Sequence, residues 1–510
     1  MSVFWVIRLA VRLAKYLFIL FVLFFERKES RRRLVWLLVL YFLPGIGIIL
    51  YVLFSGHIFT ATRRIQEVNT TAYNITKPMR DMQERILKEN RSRIPNHIIK
   101  NYYPLMDMNL NKGDSLLTFA DSGTNIYCYG KEFFDDLCAE LMKARRSINM
   151  EYFIFHSDTI GKRVMDILCQ KAREGVEVKL IYDDYGCLLT RTRFFKRLSN
   201  EGGQVRPFFQ IRLGLPLTLN YRNHRKLTVI DSRIAFIGGI NIGDEYANQG
   251  KRYKLNWRDT AVRVTGSCVF DMQTKFLTDW YSQDAWIKRS KTLQEAASYF
   301  PVSLITNLTN AAEYDDEDKL IKNIFLKQHI PTQVIACGPN EAHKANIEDA
   351  FIRMIMSAKK NVYIETPYFT PNEEFYNALK VASYTGVSVN IIIPGTWDKF
   401  YMKAASFDFA REMSAEGVKF YLYPGFIHSK MITVDKKISS IGTTNIDNRS
   451  FSLHFEENII FYDEKFAGRC ESIFERDKRI SLPVDKEFFD RKSIVKRAFW
   501  SFCRLFSPLM

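Results

Sequence analysis

The amino-acid sequence predicts an α/β protein of two pseudo-twofold-related halves, each a mixed or parallel sheet flanked by helices, after an N-terminal membrane helical segment. Three observations carry this expectation. A strand–helix–strand pattern occurs twice. A polar cluster follows each copy at the same spacing. An uncharged apolar run stands near the start of the chain.

In the first copy, residues 147–155 (SINMEYFIF) form an apolar run with strand character. Residues 161–175 (GKRVMDILCQKAREG) space their apolar side chains as a helix does, and residues 176–184 (VEVKLIYDD) alternate and then turn apolar. The second copy repeats the order with residues 361–369 (NVYIETPYF), 372–386 (NEEFYNALKVASYTG) and 387–395 (VSVNIIIPG). Strand, helix and strand on short links make a βαβ unit, which implies parallel strands with a helix on one face.

The polar clusters are His224-Arg-Lys226 with Asp231, and His428-Ser-Lys430 with Asp435, each an H-x-K-x4-D. Gly238 and Gly442 follow the aspartates, and Asn241 and Asn445 follow the glycines. All five positions recur at an offset of 204 residues. A single His-x-Lys is ordinary surface polarity. Five residues repeating at one offset mark a duplication.

These residue types suit a phosphodiester. On a strand, His and Lys two apart face the same side. The lysine neutralises phosphate oxygens, and the histidine attacks phosphorus or moves a proton. Asn241 and Asn445 can donate from their amides. Displacement at phosphorus wants two histidines, a nucleophile and an acid for the leaving alkoxide, and two halves facing each other supply them. Two Lys and two Asn would stabilise the developing charge, so neither a metal nor another cofactor is expected.

Each histidine needs a carboxylate on its other nitrogen. Asp259, in Trp257-Arg258-Asp259-Thr260, and Glu456, in Ser450-Phe-Ser-Leu-His-Phe-Glu456, are the candidates. Asp231 and Asp435 belong to the motif, yet at odd spacing from His they should face away and pair with backbone or a basic side chain. The six remaining histidines, His454 among them, have no such partners and read as structural.

Lys and Arg number 73 against 56 Asp and Glu, a formal charge of +17. That excess favours anionic partners, nucleic acid or acidic lipid. The 40 Phe and 25 Tyr suit a membrane interface. Eight scattered cysteines show no C-x-x-C spacing and read as small buried hydrophobes in a reducing compartment. With no H-E-x-x-H or Cys/His cluster, a zinc site is not expected.

Leu34–Phe54 is 21 residues without a charge. As one helix it would span about 30 Å, the thickness of the hydrocarbon core. Pro44, Gly45 and Gly47 interrupt it, so a kink or re-entrant path is open. Residues 3–25 read as a basic amphipathic or spanning helix, with Arg8, Arg12 and Lys15 on one face. Basic residues flank both sides of the apolar run. Free cysteines and overall basicity favour the cytoplasmic face for the catalytic halves.

The organisation read from these patterns is a membrane module (1–56), a connector (57–115), a first domain (116–290) and a linker (291–330) holding the acidic run Glu313 to Asp318. A second domain (331–490) and a basic amphipathic tail (491–510) follow. The tail's Ile494, Val495, Ala498, Phe499, Phe502 and Leu505 share a helical stripe, which could rest on the membrane or pack on the body.

The duplicated H-x-K-x4-D with its G-G-x-N or G-T-x-N resembles the phospholipase D superfamily, and more narrowly the bacterial cardiolipin synthases. Residues 36–51, Glu365-Thr-Pro-Tyr-Phe-Thr-Pro371 and Gly442-Thr-Thr-Asn445-Ile-Asp447-Asn-Arg449-Ser450-Phe451 carry the narrower likeness. It implies two phospholipase D-like domains. One histidine takes a phosphatidyl group from phosphatidylglycerol and releases glycerol. A second phosphatidylglycerol then attacks the phosphohistidine to give cardiolipin. It implies a cell-membrane enzyme with phosphatidylglycerol and anionic lipid as partners, no nucleic acid, and self-association left open. His224 is expected as nucleophile and His428 as acid, from the resemblance and from Glu456 and Glu457 read as neighbours of His428. His454 stands where an asparagine is common. A phospholipase D passing the group to water or another alcohol would use the same residues. A nuclease fits the charge but not the apolar run. A non-enzymatic scaffold would predict one eroded half-site, and neither is eroded.

Overall fold

The computed structural model describes residues 3–25, 30–43, 45–54, 61–89, 97–210, 221–250, 256–283, 329–338 and 346–509. The acidic run, the linker apart from His329 and Ile330, residues 26–29 of the basic loop, Pro44, His57 and His343 lie outside them.

Both halves build the same sheet. In the first, seven strands run in the order Asn125–Tyr127, Ala261–Thr265, Ile234–Gly238, Lys226–Ile230, Ser147–Tyr152, Glu177–Asp183 and Gln204–Phe208. The last three pair in parallel and the rest antiparallel. In the second, the corresponding order is Glu456–Phe461, Ile438–Gly442, Met431–Val434, Asn361–Glu365, Ser388–Pro394 and Lys419–Tyr423. His329–Cys337 and Thr118–Asp121 extend this sheet at one edge, and Leu482–Val484 closes the other. The βαβ units are as expected: Thr159–Arg173 and Glu373–Tyr384 cross between parallel strands. Central strands such as Lys226–Ile230 and Met431–Val434 are buried along their whole length, which explains their continuous Val, Ile, Leu and Met content. Thr118–Asp121 lies in the first-domain range of the sequence, yet it completes the second half's sheet and ties the halves covalently.

The stretch read as a connector holds two helices. Ala61–Glu89 and His97–Asn111 bury Met79, Leu87, Ile98, Tyr102, Tyr103, Leu105, Met106 and Leu110 in the second half's core. Its polar composition hides an apolar stripe on one face, and composition is a poorer guide than period in such a segment.

Leu34–Phe54 does not form one span. Helices Ser30–Phe42 and Ile46–Phe54 fold back on each other, with the Trp36 and Tyr51 rings 5.3 Å apart. A Cβ on Gly47 would stand 2.7 Å from the Val39 carbonyl, so only glycine permits this approach. No helix among the described residues is long and apolar enough to cross a membrane. Val22 of helix Val3–Phe25 joins Trp36, Leu40 and Tyr51 in a small core of its own. Trp5, Leu9, Leu13, Leu17, Phe24, Leu34, Leu38, Phe42 and Ile49 point outward.

The tail divides its faces. Helix Ile494–Leu505 docks through buried Trp500 and Cys503, with Trp500 edge-on to Phe407 at 5.4 Å. Ser501 Oγ donates to Asp408 at 3.0 Å, and Arg504 lies 3.3 Å from the same carboxylate. Ile494, Val495, Phe499, Phe502 and Leu505 of the expected stripe remain exposed. The turn Ser507–Leu509 packs beside helix Ser30–Phe42. All eight cysteines are buried and unpaired.

Candidate active site

The two H-x-K segments meet where the halves face each other. His224 precedes strand Lys226–Ile230, and His428 lies between the short strand Phe426–Ile427 and Met431–Val434. Neither histidine is within a strand, unlike the expectation from two-residue spacing. Cross-half backbone bonds place them. His224 N–H donates to Phe455 O at 2.9 Å, and Phe455 N–H donates to Arg222 O at 2.9 Å. Strand Phe426–Ile427 pairs in parallel with Trp257–Arg258, and His428 N–H donates to Arg258 O at 2.6 Å.

This pairing crosses the carboxylates. His224 Nδ1 lies 2.9 and 3.0 Å from the two oxygens of Glu456, in the opposite half. His428 Nδ1 lies 2.7 Å from Asp259 Oδ2, again in the opposite half. The neighbourhood expected around His428 is therefore corrected. Glu456 belongs to His224. Glu457, on the other face of its strand, is pushed up to about 8 by burial, against Arg225 and Lys275. With Nδ1 of each ring held by a carboxylate, Nε2 is left to face a ligand.

Gly239 makes room for one pair. A Cβ there would stand 2.0 Å from Asp259 Oδ1, so a side chain at this position would displace the carboxylate that holds His428. Thr260 N–H donates to Asp259 at 2.7 Å, and Thr443 Oγ1 donates to Glu456 at 2.5 Å.

Lys226 Nζ donates to His224 O at 2.6 Å. Lys430 Nζ donates to His428 O and lies 2.8 Å from His428 Nδ1. Burial pushes Lys226 down to about 7 and Lys430 down to about 8. Burial and the adjacent lysines push His428 down to about 4 and His224 well down. The carboxylates differ. Burial pushes Glu456 up to about 8 against Lys226 and Thr443. Burial also works to raise Asp259, but Lys430 and His428 outweigh it and hold it below the usual carboxylate range.

The remaining predicted residues divide. Asn241 Nδ2 donates to Tyr246 Oη at 3.1 Å, and its Oδ1 accepts from Ile154 N–H at 3.1 Å. Asn445 bonds to Asp447, and its Oδ1 is buried without a partner among the described residues. Asp231 and Asp435, grouped with the catalytic candidates, are turned away. Asp231 accepts from the N–H groups of Arg145, Arg146 and Ser147, and Asp435 from those of Lys359, Lys360 and Asn361. Each pins the start of the neighbouring central strand through backbone N–H groups.

The family model described as "Cardiolipin synthase, PLD-like domain" matches residues 137–280 and 351–478, over half of the chain. The phospholipase D–nuclease N-terminal model matches residues 16–56. A cardiolipin synthase of Listeria innocua is 36% identical over 490 residues, covering 96% of this chain and 95% of the relative. This chain belongs to the cardiolipin synthase family. A cardiolipin synthase of Clostridium perfringens is also 36% identical, covering 95% of each chain. Among solved structures, the fold resembles phosphatidylserine synthase of Haemophilus influenzae, with a TM-score of 0.59 at 14% identity over 81% of this chain and all of that one.

Within this family member, several site residues escaped the sequence reading. His454 stands with its ring 5.5 Å from that of His224, and both its ring nitrogens are buried without a hydrogen-bond partner among the described residues. His224, His454 and Glu456 bring ligand atoms within 4.8 Å of one another. Arg258, wholly buried, pairs with Asp477 at 2.6 Å and Glu365 at 3.2 Å and supports the Asp259 segment. Arg225 bonds to Asp279. A lone Arg, Glu or Asp in an apolar strand or helix was the available signal, since such a residue is buried only when paired.

Proposed function

We propose that this chain makes cardiolipin from two molecules of phosphatidylglycerol, through a phosphohistidine on His224. The carrying observation is the asymmetric pair of carboxylate-held histidines beside two buried lysines. With Nδ1–H of His224 donating to the Glu456 carboxylate, Nε2 keeps its lone pair. That nitrogen attacks the donor phosphorus. The P–N bond forms as the P–O bond to glycerol breaks, and His428 gives the departing oxygen a proton. In the second step the hydroxyl of another phosphatidylglycerol attacks phosphorus, passes its proton to His428 and frees His224.

Asp259 supports the acid role of His428. An ionised carboxylate held below the usual range stabilises the imidazolium at His428, whereas Glu456, pushed up by burial, stabilises a charged ring at His224 less and so suits the neutral ring of a nucleophile. Lys226 and Lys430 oppose protonation of His428 only until the phosphodiester anion arrives to offset their charge. The same lysines stabilise the transition state without reorganisation.

The enzyme is read as a cell-membrane protein with its catalytic halves on the cytoplasmic side. The outward apolar residues of the N-terminal helices and the exposed stripe 494–505, edged by Lys492 and Lys496, favour seating on anionic lipid. Purified full-length protein in mixed micelles with labelled phosphatidylglycerol tests the activity. Cardiolipin and free glycerol in equal amounts are expected. Phosphatidic acid as the sole labelled product would show that water is the acceptor.

A further inference from the structure

Each histidine is held by a carboxylate of the opposite half, so their register depends on how the halves dock. Two buried arginines stand at that junction. Arg225, between His224 and Lys226, bonds through Nη1 to Asp279. Its Nε donates to Glu456 O at 3.3 Å and its Nη2 to Cys337 O at 3.5 Å. The loop of His224 is thereby tied to the residue whose carboxylate holds the ring. Asn223, on the other flank of His224, bonds through Nδ2 to Glu151, and its Oδ1 accepts from Arg225 N–H at 3.0 Å.

The second pair has the same parts. Arg258, next to Asp259, donates through Nε to Asp477 Oδ2 at 2.7 Å and stands 3.2 Å from Glu365. Its Nη1 donates to Thr260 Oγ1 at 2.7 Å, and Thr260 Oγ1 is 2.7 Å from Oγ of Ser429, the neighbour of His428. The acidic residues occupy equivalent places in the two halves. Glu151 lies opposite Leu227 and Glu365 opposite Met431, in each case the residue after the motif lysine. Asp279 and Asp477 each lie in the last turn of the helix that follows an orienting carboxylate. Only the arginine changes place. It sits on the histidine's loop in one pair and on the carboxylate's segment in the other, and in both it joins the two halves.

We infer that Glu151, Asp279 and Arg225 position His224, and that Glu365, Asp477 and Arg258 position His428, each set locking one histidine to the carboxylate of the opposite half. This rests on the reading of His224 as nucleophile and His428 as acid. The six residues act through the two rings. Small displacements of a reacting group cost rate steeply, which is the use of so rigid a support.

The leaving group separates the two sets. Glycerol needs a proton from His428 as its P–O bond breaks, whereas p-nitrophenolate leaves without one. Full-length protein in detergent micelles is given phosphatidylglycerol or phosphatidyl-p-nitrophenol, and release of glycerol or p-nitrophenolate is followed over the first turnover. Arg225→Gln is expected to slow release about 10–100-fold from both donors, because each needs attack by His224. Arg258→Gln should slow glycerol release comparably and p-nitrophenolate release less than about threefold, because that donor bypasses the acid. A general loss of packing would not distinguish the donors. Equal slowing of both donors by Arg258→Gln, or wild-type rates in Arg225→Gln, would overturn the positioning roles. The opposite pattern, with Arg225→Gln rescued by the p-nitrophenyl donor and Arg258→Gln not, would overturn the reading of His224 as nucleophile and not the two sets. Removal of one partner from a buried ion pair can unfold a protein. Should an arginine variant lose its cooperative melting, Asp279→Asn and Asp477→Asn, which keep the shape, decide by the same comparison.

Discussion

Asp259 Oδ2 stands 2.7 Å from His428 Nδ1 although the two residues belong to opposite halves of the chain. Glu456 and His224 repeat the relationship in the other direction. Each half thus supplies a histidine to itself and an orienting carboxylate to its partner, so neither half is complete alone. Asp259→Asn should lower kcat about 10²–10⁴-fold, the range for loss of a positioned acid–base group. The melting temperature should change little, because the amide preserves the shape. A variant with wild-type kcat would remove Asp259 from the mechanism.

The lysines set the alkaline limb of the pH profile. Lys226 is pushed down to about 7 and Lys430 to about 8 by burial, so each loses its charge as pH rises through that value. Phosphate binding is therefore present below those values and lost above them. We expect kcat/KM for phosphatidylglycerol to fall above about pH 8. Lys430→Arg, which stays charged, should move the fall to higher pH if the variant remains active. A rate flat to pH 10 would contradict this assignment.

Turnover is expected to persist in chelator, since Lys226 and Lys430 occupy the place of a charge-stabilising cation. The ligand atoms of His224, His454 and Glu456, within 4.8 Å of one another, add a corollary: micromolar zinc should inhibit by occupying the nucleophile. Loss of activity in chelator, restored by one specific metal, would reverse the claim.

The duplicated motif was legible because it recurs residue for residue, and the βαβ units because their periods change from two to 3.6 and back. That Asp231 faces away from His224 followed from odd spacing, with backbone or a basic side chain left open as its partner. The crossed carboxylates were not legible, because nothing local links Asp259 to His428; the pairing depends on how Trp257–Arg258 meets Phe426–Ile427. His454 was set aside as a lone histidine, and only folding brings it beside His224. The path of Leu34–Phe54 was legible only in part. Pro44, Gly45 and Gly47 left a kink or re-entrant path open, uniform hydropathy could not choose between that and one span, and the close approach at Gly47 lets the chain fold back.

The tail should couple activity to a lipid surface. Phe499 and Phe502 are exposed, so Phe499→Ser with Phe502→Ser should fold as wild type. Turnover on vesicles of phosphatidylglycerol and phosphatidylcholine should fall several-fold while turnover in detergent micelles holds. Each fully buried Phe is worth about 1.5–3 kcal/mol, enough to shift vesicle binding measurably. Equal activity on vesicles and micelles in the variant would show that the stripe does not touch lipid.

The most direct test of the account is capture of the covalent intermediate. Full-length protein mixed with acyl-labelled phosphatidylglycerol is quenched in alkali within the first turnover, digested and mapped by mass spectrometry. A phosphatidyl group on the peptide carrying His224, and none on the peptide carrying His428, is the predicted result. Label on His428, or none on either histidine during active turnover, would contradict it.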